Sequence, residues 1–316
     1  MLRVLRVLAP NPSVYTLEGT NTWVIGEDPT IVIDPGPDDD GHLREVANVA
    51  GTVGLVLVTH DHPDHAPGAA AFARASGAPL RAWRMSDGLR VRDEETLRVG
   101  DVSITAMHTP GHTADHVAYW VGATGALFTG DAVLGRGTSF VDPPEGDLAR
   151  YLRSLERMRE LGPRVLYPGH GPVIFDADAK LREYLDHRRE REAQVLLAFA
   201  SPRTIADAVE DIYAEYPADV RPLAARSVLA HLIKLEQEGR VRRQGKGEDA
   251  TWEVSEPAAC ARCGRPVAGR GRYCASCSLI LLQEKAPDGF EGTASDADSS
   301  PAEAEVEQPA SDPPTA

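Results

Sequence analysis

Long apolar runs are missing from this sequence. Nothing in it approaches the roughly 18–20 uncharged residues of a membrane-spanning helix. The apolar start, Met1 to Pro10, is short and broken by Arg3 and Arg6, so it reads as a first strand and not as an export signal. Cysteine is equally confined: all four lie between Cys260 and Cys277, which leaves the rest of the chain without a disulfide. Basic residues are absent from Ala286 to Ala316, where eight acidic residues stand among Ala, Pro and Ser. That composition predicts a disordered tail, and the tail holds about half of the net charge of −15. A cytoplasmic protein is the expectation. What remains is ordinary for a globular chain, with 42% hydrophobic and 26% charged residues, and 316 residues suffice for more than one domain.

The chemistry concentrates at one place. An apolar run of strand type, Val53 to Val58, ends in Thr59-His60-Asp61-His62-Pro63-Asp64-His65. Imidazole and carboxylate are the ligand set of zinc and its neighbours in the first transition row. His60 and His62 leave the same side of an extended segment. Asp64 and His65 follow at the junction with an Ala-rich helix, where they can turn toward a second metal. A solvated polar loop after a strand is the plainer alternative, and three histidines in six residues weigh against it. Asp61 reads as a solvated turn residue.

The segment Thr59 to His65 resembles the T-H-x-H-x-D-H signature of the metallo-β-lactamase-fold hydrolases. In the same order, Thr109-Pro110-Gly111-His112-Thr113, Phe128-Thr129-Gly130-Asp131 and Tyr167-Pro168-Gly169-His170 resemble that family's later segments. The resemblance implies an α/β fold, the four-layer αββα sandwich. It implies His60, His62 and His112 on one zinc, Asp64, His65 and His170 on another, and Asp131 bridging both. Two such metals, about 3.5–4 Å apart, can share a hydroxide and lower the pKa of water toward 7. Asp64 and Asp131 are expected to take part in catalysis as well as ligation. His116 is expected either to reach substrate or to orient a ligand; a purely structural histidine is the alternative. His108 reads as core or as support for a ligand, and His42, His187 and His231 carry no assigned chemistry. In the Gly-rich loop after Asp131, Arg136, Thr138 and Ser139 are candidates for substrate contact, with an ordinary surface loop as the alternative.

Four segments are expected: residues 1–178 as the catalytic domain, 179–256 as a helical and winged-helix domain, 257–283 as a zinc ribbon, and 284–316 as the acidic tail. Residues 11–35 read as a β-hairpin or two neighbouring strands, with Thr20 to Gly26 followed by Thr30 to Gly36, and Asp34-Pro35-Gly36 is expected at the lip of the site. Helices are predicted over about 40–49, 148–160, 179–200, 204–215 and 223–238. A basic hairpin over 240–254 then completes the helix, helix, hairpin order. The segment His231 to Val241 is similar to the winged helix appended to the branch that contains the beta-lactamase-like protein 2 endoribonucleases. Cys260-x-x-Cys263 and Cys274-x-x-Cys277 have the spacing of two knuckles closing on one structural zinc; two disulfides or four buried thiols are the alternatives.

These features predict a dinuclear metal-dependent hydrolase. Arg240, Arg242, Arg243 and Lys246 on the hairpin, with the Arg-rich ribbon, favour single-stranded RNA. The same branch includes acyl-carrier-protein thioesterases, so a thioesterase or glyoxalase II-like acyl hydrolase competes, because fold does not fix substrate. A third reading is a nucleic-acid-binding regulator with a vestigial hydrolase domain, and the full ligand set weighs against it. No membrane partner is expected.

Overall fold

A computed structural model describes residues 2–84 and 89–255, together with the backbone of 258–259 and 266–267. The four cysteines of the expected ribbon and the acidic tail lie outside the described residues. The chain divides into two compact units, and the architecture below belongs to the larger, which runs through Ala258.

Its first sheet has six strands in sequence order: β1 (Val4–Leu8), β2 (Asn21–Ile25), β3 (Thr30–Ile33), β4 (Val53–Leu57), β5 (Leu80–Ala82) and β6 (Leu89–Arg90). The first three pair antiparallel, and β3 to β6 run parallel. Helices α1 (Asp40–Ala50) and α2 (Pro67–Ser76) are the crossovers. Asp39 caps α1 by accepting from the His42 amide at 2.7 Å.

The second sheet is ordered β11-β10-β9-β8-β7: β7 (Thr96–Val99), β8 (Val102–His108), β9 (Val117–Val121), β10 (Ala126–Gly130) and β11 (Val165–Pro168). Helices α3 (Leu148–Glu160) and α4 (Ala177–Ala198) follow β10 and β11.

Why the strands are apolar on both faces is clear from where alternate residues go. Trp23, Ile25, Ile31, Ile33, Leu55 and Leu57 meet Ile104, Val117, Tyr119 and Phe128 between the sheets. Val24, Val32 and Val56 point the other way, onto Val46 of α1 and Phe72 of α2. On the far side, Met107, Ala118, Leu127 and Leu166 pack against Leu155 and Met158 of α3 and Leu181 and Tyr184 of α4. Three cores between four layers give the αββα sandwich, with strands buried on both faces as parallel sheets demand.

The second half of α4 enters a separate core. Val195 and Phe199 pack with α5 (Ile205–Ile212), α6 (Arg221–Gln237), and Val241 and Trp252 of a small sheet. That sheet is β12 (Arg203–Thr204), β14 (Thr251–Val254) and β13 (Val241–Gln244), in that order. This is the winged helix. The division placed at 178/179 falls at the start of α4, which serves both cores. Thr204 and Asp207 form a reciprocal capping box that starts α5. Among the described residues no helix is long and apolar enough to cross a membrane.

Candidate metal centre

Five strand ends deliver the site. β3, β4, β8, β10 and β11 lead directly into Asp34, Thr59-His60, Thr109 to His112, Asp131 and His170. All seven expected ligands converge in two groups, His60, His62, His112 and Asp131, and Asp64, His65 and His170. Within each group the ligand atoms lie within 4.8 Å of one another. Asp131 reaches both: its carboxylate is 3.9 Å from His112 Nε2, 3.4 Å from His65 Nε2 and 3.3 Å from His170 Nε2.

The outward nitrogens are tied down. His112 Nδ1 donates to the Phe140 carbonyl at 2.7 Å, and His170 Nδ1 to the Gly19 carbonyl at 3.1 Å. His65 Nδ1 lies 2.8 Å from the Asp34 carboxylate. The Thr59 hydroxyl donates to Asp34 at 2.8 Å, so it accepts from His60 Nδ1 at 2.9 Å. Each of these partners can only accept, which fixes the proton on Nδ1 and leaves the Nε2 lone pair turned inward. His62 faces inward by Nδ1, 2.9 Å from His60 Nε2 and 3.2 Å from His112 Nε2.

Nitrogens and carboxylates crowded this way call for a cation. His65 Nε2 and His170 Nε2 stand 3.3 Å apart. Asp131 Oδ1 is buried, with His65 Nε2 at 3.4 Å and no well-formed hydrogen bond among the described residues. Electrostatics agree. Burial alone would push the imidazoles of His65 and His170 down, but Asp131 leads the carboxylates that outweigh it, holding His65 well above its usual value and His170 at about 9. Burial likewise opposes the ionised carboxylates of Asp64 and Asp131, and the adjacent His65 (with His170) overcomes it, so both lie well below the usual carboxylate range. His60 and His112 are pushed down by burial, the neutral form that ligation needs. This donor set fits a pair of divalent metals.

Two glycines are required by space. A Cβ on Gly169 would sit 2.3 Å from Asp131 Oδ1 and 2.8 Å from His65 Cε1. On Gly130, at φ +47°, it would meet His116 and Thr59 at 2.8 Å. The Asn21 side chain donates to the carbonyls of Pro168 and Gly171, both at 2.9 Å, and so pins the loop that carries His170.

His116 is fully buried. Its Nδ1 meets the Thr109 hydroxyl at 2.9 Å, and its Nε2 accepts the Asp131 amide at 3.2 Å. Both nitrogens are spent within the protein, which leaves neither for substrate and fits the orienting role and the purely structural one alike. His108 stacks on Trp83 with centroids 3.7 Å apart. Asp61 is exposed, as a turn residue should be. Arg136 and Thr138 are exposed on the wall of the groove, and Arg136 pairs with Glu18. Ser139 is buried behind His112, with its Oγ 3.4 Å from Nδ1.

Sequence reasoning placed Asp34 at the lip; it is in fact a buried carboxylate behind the ligands, with φ +50° and its oxygens on Thr59 and His65. Thr20, whose hydroxyl donates to Asp64 at 3.1 Å, was missed. The carbonyls of Gly19 and Phe140 have no side-chain signature to read.

A groove of about 870 Å³ opens over the ligands. Its walls beyond them include Val14, Tyr15, Leu17, Leu134, Phe140 and Leu223. Val14 and Tyr15 are 83% and 60% exposed at its mouth. Arg136 is the one cation among its described lining residues, against Asp142 and Glu145.

A His- and Asp-lined centre at one edge of an αββα sandwich, with a winged helix behind it, defines a metal-dependent hydrolase. The chain belongs to the metallo-beta-lactamase superfamily, whose members typically bind a dinuclear metal site: that family matches residues 15–82 and 79–170, and the beta-lactamase associated winged helix domain matches 204–252. A beta-lactamase-like protein 2 homolog of Drosophila melanogaster is 33% identical over 281 residues, covering 80% of this chain and 94% of that protein. An atrochrysone carboxyl ACP thioesterase of Aspergillus chevalieri is also 33% identical, over 271 residues, covering 80% and 87%. A beta-lactamase domain protein from Burkholderia ambifaria shares the fold, with TM-score 0.69 at 22% identity over 80% of this chain and 91% of that one.

Proposed function

We propose that this protein hydrolyses an acyl thioester or related ester whose apolar acyl group lies in the groove. His60, His62 and His112 would hold one metal and Asp64, His65 and His170 the other, with the Asp131 carboxylate facing both groups. When bound, the metals supply Lewis-acid chemistry, lowering the pKa of water toward about 7 and polarising the scissile carbonyl. The chain does the rest. Asp34, Thr59, Gly19 and Phe140 keep the imidazole protons on the outer nitrogens. Asp64 and Asp131 remain ionised and offset part of the metal charge. Val14, Tyr15, Leu17, Leu134, Phe140 and Leu223 seat the acyl chain and exclude water from it.

One observation carries the substrate class: Val14, Tyr15, Leu17, Leu134, Phe140 and Leu223 give the groove an apolar wall, and its single described cation, Arg136, is paired with Glu18. The phosphodiester backbone of RNA needs unpaired cations along its path. The wing does not provide many. Arg240 pairs with Glu192 and Glu238, Arg242 with Glu253, and Arg243 lies over Trp252. The thioesterase relative is in keeping with this reading.

Single-stranded RNA is the second reading. Its support is the pair of rings Tyr15 and Phe140 in the groove, on which bases can stack. Parallel assays of metal-loaded protein on acyl thioesters of graded chain length and on single-stranded RNA, with Asp131→Ala as control, decide between them. Thioester turnover that grows with chain length is expected. RNA cleavage without thioesterase activity reverses the order.

A further inference from the structure

The wall of the site nearest His112 is held from behind by side chains of α4 and α6. Phe140, whose carbonyl takes the His112 Nδ1 proton, belongs to a stretch, residues 139–143, that two arginines of the C-terminal helices grip from behind. Arg188 of α4 donates from Nη2 to the Ser139 carbonyl. Arg226 of α6 donates from Nε to the Asp142 carboxylate and from Nη2 to the Pro143 carbonyl.

Arg188 stands where an apolar residue would be expected. It continues the buried stripe of Leu181, Tyr184 and Leu185 on α4 and is 6% exposed. Among the described residues it has no carboxylate partner, and its Nε is buried without a hydrogen bond. Its guanidinium lies 5.5 Å over the Tyr151 ring, and the Tyr151 hydroxyl donates to the carbonyl of Ala132, next to Asp131. Burying a guanidinium this way is costly for packing alone. What it secures is the carbonyl adjoining Phe140. Without that donor the Ser139 carbonyl is buried and unpaired, the neighbouring peptide is free to turn, and His112 loses the acceptor that sets its ring angle and tautomer.

We propose that Arg188 is a positioning residue for His112, and that through Arg188 and Arg226 the C-terminal helices set the affinity of the metal position formed by His60, His62 and His112. The proposal rests on the reading of these histidines as metal ligands.

Cobalt(II) titration of the metal-free full-length protein in a His170→Ala background tests it, because only the position in question then remains intact. Calorimetry and the visible absorption of bound cobalt are the readouts. Arg188→Met keeps the bulk over Tyr151 and removes the donor. It is expected to weaken cobalt binding about 10- to 100-fold and to alter the cobalt spectrum, and Arg188→Lys to recover much of both. In a His60→Ala background, which leaves the other position, Arg188→Met is expected to change affinity less than about threefold. Unchanged affinity and spectrum with a lowered Tm would make Arg188 a packing residue and overturn the proposal; so would equal losses at the two positions. Should Arg188→Met fail to fold, Arg226→Gln, at a side chain 41% exposed, carries the same expectation in milder form, and unaltered cobalt binding there overturns it too. If the His170→Ala protein with Arg188 intact takes up no cobalt, the ligand reading itself fails, and that result is distinct from the others.

Discussion

His65 Nδ1 and the Asp34 carboxylate meet at 2.8 Å with both side chains essentially buried. Asp34 therefore bears on the proposed metal centre through His65, and it also accepts the Thr59 amide at 2.7 Å and the Thr59 hydroxyl. Asp34→Ala is expected to lower metal affinity about 10- to 100-fold and to cost about 1–3 kcal/mol of stability through the donors it leaves unpaired. Elemental analysis and denaturant unfolding read the two effects. Asp61→Ala, in the signature segment but exposed, should fall within about 0.5 kcal/mol of the unaltered protein. Equal effects at the two positions would contradict the assignment.

Gly169 tests how tightly the centre is packed. With Asp131 Oδ1 2.3 Å from where its Cβ would lie, Gly169→Ala must displace either the Asp131 carboxylate or the His170 loop. Overpacking of this kind costs about 1–3 kcal/mol. Metal uptake should suffer far more than Tm suggests. A Gly169→Ala protein with full metal content and unaltered kcat would show that the carboxylate does not need that position.

The sandwich and the convergence of the seven His and Asp side chains were legible because their signals are local. Each of the segments that carry them follows an apolar run and contains or borders Gly or Pro, which puts it at a strand end. The buried stripe Leu181, Tyr184, Leu185 and Val195 likewise marked α4. What could not be read depends on residues brought together from afar. Asp34 and His65 are 31 positions apart, and Asp-Pro-Gly has the composition of a turn. Asp34 in the left-handed region, where Asp is tolerated, is the only local hint, and it requires coordinates. The pairing of the basic hairpin was hidden for the same reason. Arg240 and Arg242 look free in the sequence, yet Glu192, on a helix that begins 63 positions earlier, and Glu253, on the facing strand, compensate them.

His231 is 1% exposed on α6, and among the described residues neither ring nitrogen has a hydrogen-bond partner. Burial depresses its pKa well below the usual value, and Arg188, Arg191 and His187 of α4 and Lys234 of α6 add to this. The unfolded chain therefore binds the proton more readily than the folded one. Its contribution to stability is complete above the unfolded value of about 6.5 and is lost as pH falls through and below that value. His231→Phe should show a smaller fall in Tm between about pH 7 and pH 5 than the unaltered protein. Parallel Tm curves for the two proteins would exclude His231 as a source of the acid sensitivity.

Val14 and Tyr15 separate recognition from chemistry, since they line the mouth of the groove and neither belongs to the ligand set. An apolar side chain buried against substrate is worth about 1.5–3 kcal/mol, and replacing it by lysine removes that and adds a cation. For Val14→Lys and Tyr15→Lys, KM for a long-chain acyl thioester should therefore rise about tenfold or more, a loss of roughly 1.4 kcal/mol. The change in kcat should be small, because contacts of this kind bind ground and transition states alike. An acetyl thioester, too short to reach the mouth, should be turned over as before. RNA predicts the reverse sign, since each new lysine adds a phosphate contact and steepens the salt dependence of binding. Steady-state kinetics on the two thioesters, with RNA binding measured at two salt concentrations, distinguish the cases. An unchanged KM for the long-chain thioester together with tighter RNA binding would remove the apolar groove as the acyl site.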